Sequence, residues 1–261
     1  NHGGGKAVLW GDPAADKSEA YFRAFGRFVG SLRGRFFTGT DVGTTPSDFT
    51  MCKMESPYFV GLPEEDGGTG NTAIITAYGV WRGMKAAANH VWGSDSLAGK
   101  RIAISGLGKV GYALAAHVHN EGAILTVTDI DPVKVQKACE EFGAEGVLPE
   151  RIYDVNCDIF SPNALGGSIN DQTIPRLQCK VIAGSENNQL KEERFGQVLH
   201  ERGILYAPDY VINAGGLIQV ADEYIGFNRD RAYRKTAGVY EMLRQIFQIS
   251  RDENLPTNIA A

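Results

Sequence analysis

The sequence predicts an α/β fold in which a parallel sheet is covered by helices on both faces. Short apolar runs begin at residue 101 and return at 124–128, 157–161, 180–184 and 203–207, with helical stretches between them. Strands that alternate with helices in this way form parallel sheets. A glycine-rich motif directly after the first run indicates that this sheet binds a nucleotide.

Composition narrows the classes of protein and partner. The chain has 261 residues, 22% of them charged, and a formal net charge of −5, which argues against a nucleic-acid partner. No apolar run approaches the roughly 20 residues that span a bilayer. The four cysteines form no CxxC pair and fit no zinc spacing, so we expect free thiols, no metal and a cytoplasmic location.

The N-terminal part precedes the strand–helix alternation. Residues 16–32 carry Phe22, Phe25, Phe28, Val29 and Leu32 at helical spacing, which predicts an amphipathic helix facing a core. Closely spaced helix breakers follow, in LPEEDGGTGNT. A domain boundary is therefore expected near residues 72–76, which divides the chain into segments 1–75, 76–228 and 229–261. The C-terminal segment, 229–261, is expected to form helices that pack back toward the N-terminal segment.

The first strand of the sheet is followed by SGLGKVG, a Gly-x-Gly-x-x-Gly motif. Gly106 permits the tight turn, Gly108 lets the backbone approach a pyrophosphate, and Gly111 lets the helix pack close to the strand. The helix that follows presents free N–H groups to phosphates. Leu107, Lys109 and Val110 complete the predicted loop of a Rossmann-type, doubly wound sheet.

Asp129 comes directly after the second strand, 18 positions beyond Gly111. A carboxylate at this place accepts hydrogen bonds from a ribose 2′-OH and repels a 2′-phosphate, so Asp129 and the adjacent Ile130 predict NAD rather than NADP. The alternative, a carboxylate that caps the next helix, fits Asp131 before Pro132 better.

Motifs along nearly the whole chain go beyond a cofactor. In order they are GGGKAVLWGDP, TGTDVGTT, TAYGVWRGMKAA, GLGKVG, ALGGSINDQTIP, AGSENNQLK and YAPDYVINAGGLIQVADE. Together they resemble the amino acid dehydrogenases of the glutamate/leucine/phenylalanine/valine group. The resemblance implies reversible oxidative deamination of an L-amino acid to a 2-oxo acid, ammonia and NADH. It also implies a homo-oligomer and a cleft between the Rossmann-type sheet and an α/β substrate domain, of which segment 1–75 would be a truncated part.

The resemblance assigns catalysis to Lys6 and Asp41. A lysine that is desolvated near another cation has a lowered pKa and takes a proton from the water that attacks the imino acid. Asp41 would move a proton at the substrate nitrogen. From local sequence alone, Lys6 reads as a solvated lysine at a flexible end, and Asp41 as an Asx turn before Gly43. The family's second lysine, which holds the substrate carboxylate, would lie upstream of residue 1.

Further site residues follow from the same resemblance. Asn188 would bond the substrate or the nicotinamide, and the nicotinamide and ribose would contact Thr76, Ala164, Leu165 and Asn213. Two positions depart from the family pattern. Asn163 stands where a cysteine is common, and Glu186 stands where a small or apolar residue is usual, so it would either repel NAD or bond a hydroxyl.

The resemblance also suggests the substrate. Gly39 and Leu217, beside Val220, occupy positions where the branched-chain enzymes tend to carry Ala and Val, and the missing Cβ at Gly39 leaves room for a ring. L-Phenylalanine is therefore the preferred expectation, and leucine or valine the alternative. A non-catalytic NAD-binding regulator on the same fold is a further alternative. Such a regulator would need neither Lys6 nor Asp41, so the presence of both residues argues against it.

Overall fold

The computed structural model describes residues 4–13, 15–41 and 43–261, and the chain divides into two compact units. The first unit comprises residues 1–72 and 217–232, and the second comprises 73–216 and 233–261. Segment 217–232 thus joins the N-terminal residues, and the last 29 residues join the sheet-containing unit. This division differs from the three consecutive segments expected from composition, because long-range packing and not local sequence decides it.

The described residues form the following elements. The α-helices are α1 (Glu19–Ser31), α2 (Pro46–Lys53), α3 (Ala73–Trp92), α4 (Lys109–Asn120), α5 (Pro132–Phe142), α6 (Arg194–Glu201), α7 (Asp209–Ile212), α8 (Gly215–Glu223), α9 (Arg229–Ala237), α10 (Val239–Glu253) and α11 (Thr257–Ala260). The strands are β1 (Thr38–Gly39), β2 (Phe59–Val60), β3 (Arg101–Ser105), β4 (Ile124–Thr128), β5 (Glu145–Gly146), β6 (Ile159–Pro162), β7 (Val181–Ile182) and β8 (Leu205–Tyr206).

The second unit contains a six-stranded sheet in the order β5-β4-β3-β6-β7-β8, and all of its paired strands run parallel. The chain winds outward from β3 in one direction, returns to its other side at β6 and winds outward again. Ligands of such sheets bind where this reversal parts two neighbouring loops, at the carboxyl ends of the strands. The predicted Rossmann-type parallel sheet is confirmed, and its reversal lies between β3 and β6.

Both faces of this sheet are covered. Side chains alternate along β3, so Ile102 and Ile104 enter one buried cluster and Ala103 enters another. The first cluster lies under helices α3, α4 and α10, and α3 packs against both other helices. Strands with two covered faces are mostly apolar, which is why the buried middle of β3, residues 102–104, is entirely apolar.

The first unit is smaller and has its own core. Helix α1 starts after Ser18, whose hydroxyl accepts a hydrogen bond from the N–H of Tyr21, and it buries Phe22, Phe25 and Val29. Phe28, expected in this core, is 62% exposed because it lies beside the buried stripe. Strands β1 and β2 pair in parallel, with Gly39 opposite Val60.

No helix in the described parts of the chain is long and apolar enough to cross a membrane. The four cysteines are free thiols. Burial raises the pKa of Cys52, Cys157 and Cys179 to about 12, so these three are unreactive core groups.

Candidate functional site

The glycine-rich turn joins β3 to α4 in the second unit. A Cβ on Gly111 would lie 2.0 Å from the carbonyl oxygen of Gly106, so only glycine lets the helix come this close to the strand. Gly106 has a φ of +97°, a conformation that side chains rarely adopt. A Cβ on Gly108, by contrast, would meet nothing within 4 Å, so the backbone there faces open space. Gly108 also precedes α4 without a side-chain cap, which leaves the first N–H groups of the helix available to an anion.

Asp129 lies just beyond β4 and fixes this turn. Its carboxylate accepts hydrogen bonds from the N–H of Leu107 at 2.6 Å and of Asp131 at 2.9 Å, and Lys134 lies 3.5 Å away. Burial opposes ionisation, but these N–H groups and Lys134 together keep the pKa of Asp129 below its ordinary value. Asp131 caps α5 by accepting a bond from the N–H of Val133 at 3.0 Å. The helix cap is therefore Asp131, and Asp129 is a half-buried anion at the edge of the turn.

The loop after β6 forms the other side of the reversal. A Cβ on Gly106 would lie 3.0 Å from the backbone nitrogen of Ala164, so the two loops touch. The Asn163 amide donates to the carbonyl and hydroxyl oxygens of Ser161, both at 2.9 Å. Its oxygen accepts from the N–H of Ser185 at 2.9 Å and from the Ser185 hydroxyl at 2.7 Å. Asn163 thus ties the end of β6 to the loop after β7.

Other predicted contacts lie along the same carboxyl edge. Asn188 has a φ of +52°, and its carbonyl oxygen accepts a bond from the N–H of Gly167 at 2.8 Å. The Asn213 amide donates to the carbonyl oxygen of Ser185 at 3.1 Å. Thr76 lies in the first turn of α3, where its Cα would be 3.0 Å from a Cβ on Gly215. These residues therefore belong to the same unit as the glycine-rich turn.

Glu186 is a buried acid beneath this edge. Glu186 is only 2% exposed, and its Oε1 accepts a hydrogen bond from the N–H of Ser168 at 3.1 Å. Its Oε2 has no hydrogen-bond partner among the described residues. Burial, which outweighs the hydrogen bonds from Ser168, raises the pKa of Glu186 to about 7. The carboxyl group is thus part of the loop's interior, not a surface charge offered to a ribose.

These observations indicate that the second unit can bind a dinucleotide. The open backbone at Gly108 and the uncapped start of α4 suit a pyrophosphate, and the anionic Asp129 suits a ribose hydroxyl. Ile130 and Leu165 are 92% and 83% exposed, so both offer apolar surface to a ligand. No group of three or more His, Cys, Asp or Glu among the described residues could hold a metal ion.

Lys6 and Asp41 come together in the first unit. The Lys6 ammonium donates to the Asp41 carboxylate, and their side chains are 70% and 50% exposed. The exposure of Lys6 differs from the desolvation expected there, and the partner that the structure shows for it is an anion rather than a cation. Around Asp41 the turn is made by Thr44, whose hydroxyl accepts from the N–H of Asp41 at 2.9 Å.

The predicted pocket residues lie near β1 and β2. A Cβ on Gly39 would sit 3.3 Å from both Cγ2 and the carbonyl oxygen of Val60, closer than ordinary contact. A Cβ on Gly61 would lie 3.9 Å from Cγ1 of Val220 on α8. Leu217 is three residues before Val220, on the same side of the helix, and is 62% exposed.

A sheet wound in both directions from β3, with an uncapped glycine-rich turn and a carboxylate after the neighbouring strand, defines a dinucleotide-binding protein. Comparisons with known proteins agree. Residues 131–255 match the Glutamate/Leucine/Phenylalanine/Valine dehydrogenase family, and residues 69–160 match the NAD-binding domain of S-adenosyl-L-homocysteine hydrolase.

Three similar proteins illustrate the relationship. Leucine dehydrogenase of Thermoactinomyces intermedius is 56% identical over 261 residues, which are 100% of this chain and 71% of that protein. Phenylalanine dehydrogenase of the same organism is 50% identical, with 99% and 71% covered. The crystal structure of L-tryptophan dehydrogenase from Nostoc punctiforme superposes with a TM-score of 0.82 at 45% identity and covers 94% of this chain and 70% of that one.

The chain belongs to the Glutamate/Leucine/Phenylalanine/Valine dehydrogenase family. It is an NAD-dependent amino acid dehydrogenase, as its motifs predicted.

Proposed function

We propose that the chain deaminates L-phenylalanine to its 2-oxo acid, with Lys6 and Asp41 as the acid–base pair. The observation that carries the catalytic part is the direct contact of these two side chains, which lie 35 positions apart in the sequence. Two groups in hydrogen-bond contact can pass a proton between them, which makes them suitable partners for general acid–base chemistry.

The roles follow from the balance of the reaction. Bound NAD supplies the acceptor for the hydride that leaves the substrate Cα. Water would then attack the carbon of the protonated imine, and Lys6, once it has lost its ammonium proton, would take a proton from that water. Asp41 would protonate the nitrogen of the resulting carbinolamine, and ammonia would leave as the remaining hydroxyl proton is lost to form the carbonyl of the 2-oxo acid.

The first unit would bind the amino acid and the second would bind NAD. In the second unit, the N–H groups of Gly108, Lys109 and Val110 would receive the pyrophosphate, and Asp129 would accept from the ribose. Ala164, Leu165 and Asn188 would line the nicotinamide side, together with Thr76. Asn188 would also contact the substrate.

Replacement of Lys6 tests the catalytic assignment. Lys6→Ala in the full chain is expected to slow deamination by about 10²–10⁴-fold while NADH affinity, read from fluorescence titration, stays within about twofold. Lys53→Ala, at an exposed lysine of α2, is the matched control. Parallel loss of activity and NADH affinity would assign Lys6 a structural role instead.

The preference for phenylalanine rests on pocket volume. Gly39 carries no Cβ where one would crowd Val60, and Leu217 and Val220 share a side of α8. Leucine is the second candidate, favoured by the 56% identity to a leucine dehydrogenase. A screen of amino acids with NAD, following NADH absorbance, separates the two.

The paired substitution Gly39→Ala with Leu217→Val tests this pocket. We expect it to shift the phenylalanine-to-leucine ratio of kcat/KM toward leucine by about 10–200-fold, the range of a methyl-sized change in an apolar pocket. An unchanged ratio would remove these residues from the pocket.

The homo-oligomer and the cytoplasmic location remain predictions. Light scattering after gel filtration measures the first. The free thiols suit a reducing compartment.

A further inference from the structure

One side of α8 forms hydrogen bonds with the loop that follows β2. Gln219 and Glu223 lie four residues apart and therefore on the same side of the helix. The Glu223 carboxylate accepts from the N–H of Gly61 at 2.9 Å and from the N–H of Thr69 at 2.7 Å. The Gln219 amide donates to the carbonyl oxygen of Thr69 at 2.7 Å. Both polar backbone groups of Thr69 thus depend on α8.

The backbone groups of the loop that α8 satisfies belong to Gly61 and Thr69, which are both buried, so the loop has no easy substitute for these contacts. Thr69 is 2% exposed and Gln219 is 6% exposed. A buried N–H or carbonyl that loses its partner carries the full cost of its desolvation. The loop between Gly61 and Thr69 therefore depends on the two side chains for its position.

The same loop borders the pocket. Gly61 follows β2 directly, and a Cβ there would lie 3.1 Å from the hydroxyl of Thr40 and 3.9 Å from Val220. Thr40 stands between Gly39 and Asp41, the pocket residue and the proposed acid. The position of Gly61 therefore sets the spacing between β1 and the side chain of Val220.

An aromatic contact reinforces this arrangement. Phe37, just before β1, packs edge-on against Tyr58 at 5.2 Å and against Tyr224 at 4.9 Å between ring centroids. Tyr58 precedes β2, and Tyr224 follows Glu223. The end of α8 is thus attached to both strands by rings as well as by hydrogen bonds.

We propose that Gln219 and Glu223 are positioning residues that set the width of the amino acid pocket and so its substrate preference. The proposal rests on the proposed function, since the pocket is the one assigned there. Neither side chain needs to touch the substrate, because both act through Gly61 and Thr69.

The test compares three variants of the full chain. Glu223→Ala removes all acceptors, and Glu223→Gln keeps one carbonyl oxygen. Glu65→Gln, at an exposed position of the same loop, is the matched control. For each, kcat and KM are measured for phenylalanine, for leucine and for NAD, and urea unfolding shows whether the variant is folded.

Glu223→Ala is expected to raise KM for phenylalanine by about tenfold or more, because the loop loses its charge-assisted hydrogen bonds. KM for NAD should stay within about twofold of its value in the unaltered chain. The ratio of kcat/KM for phenylalanine to kcat/KM for leucine should move toward one. Glu223→Gln should fall between Glu223→Ala and the unaltered chain, and Glu65→Gln should match the latter.

Other outcomes separate the two proposals. If the unaltered chain turns over phenylalanine and the Glu223 variants keep its KM and substrate ratio, the positioning role is refuted. Proportional losses for both amino acids and NAD would also refute it, since they indicate general destabilisation. If the unaltered chain prefers leucine, the proposed substrate fails, but a change of KM and ratio in Glu223→Ala still supports the positioning role.

Discussion

Glu186 makes stability depend on pH in a way that can be calculated. Its pKa is about 7 in the folded chain against an ordinary value of 4.5, because the group is 2% exposed and burial disfavours its charge. Each pKa unit corresponds to about 1.4 kcal/mol, so ionisation of Glu186 costs the folded state about 3 kcal/mol.

The direction in which stability changes with pH follows from proton binding. Between pH 4.5 and about 7 the folded chain holds this proton and the unfolded chain does not. The contribution of Glu186 to stability is therefore fully present below pH 4.5 and is lost as pH rises through about 7. Glu186→Gln has a similar shape but no proton to lose, so its stability relative to the unaltered chain should rise by about 3 kcal/mol across this window.

Urea unfolding at a series of pH values from 4.5 to 8 measures this difference. Glu145→Gln, at an exposed glutamate of β5 in the same unit, serves as the control and should show a nearly constant difference. If the Glu186→Gln difference were equally constant with pH, burial would not hold the Glu186 carboxyl group in its neutral form.

Three further predictions concern the second unit. Gly108→Ala should fold normally, since its Cβ meets nothing within 4 Å, yet weaken NADH binding in a fluorescence titration, whereas Gly111→Ala, whose Cβ would lie 2.0 Å from a carbonyl oxygen, should lower stability. The loss at Gly111 is expected to be about 2–3 kcal/mol in urea unfolding, and equal effects at the two glycines would contradict this. Asn163→Ala should lower the free energy of unfolding by about 3 kcal/mol in the same assay, because groups of Ser161 and Ser185 lose their hydrogen-bond partner. Asp129→Asn keeps an acceptor for Leu107 but loses the charge, so it should reduce the NAD-to-NADP ratio of kcat/KM about tenfold; an unchanged ratio would argue against contact with the ribose.

The nucleotide-binding part was predictable because its signals are local. The apolar runs at 101–105 and 124–128 coincide with β3 and β4, and the glycine motif lies at the turn where it was expected. The later strands are shorter than their apolar runs. Strand β6 begins at Ile159, two residues after the start of its run, and the Asp158 carboxylate just before it accepts from the N–H of Arg101.

The remaining features depend on contacts between distant residues. Glu223 and Gly61 are 162 positions apart, and nothing in the sequence near either one marks the bond. Local sequence likewise does not mark residues 217–232 as part of the first unit, because contacts with distant residues place them there. The buried setting of Glu186 was likewise hidden, although its departure from the family pattern pointed to it. Composition cannot reveal that the partner of Lys6 is an anion.

The reversal between β3 and β6 has a consequence for how such a chain can evolve. The strand order reverses there, so the chain leaves β3 and β6 toward opposite edges of the sheet, and the place where a ligand binds is set by the topology before any side chain at its rim is chosen. Exposed rim positions such as Ile130 and Leu165 support no core, and drift at them would retune cofactor affinity while the architecture stays intact.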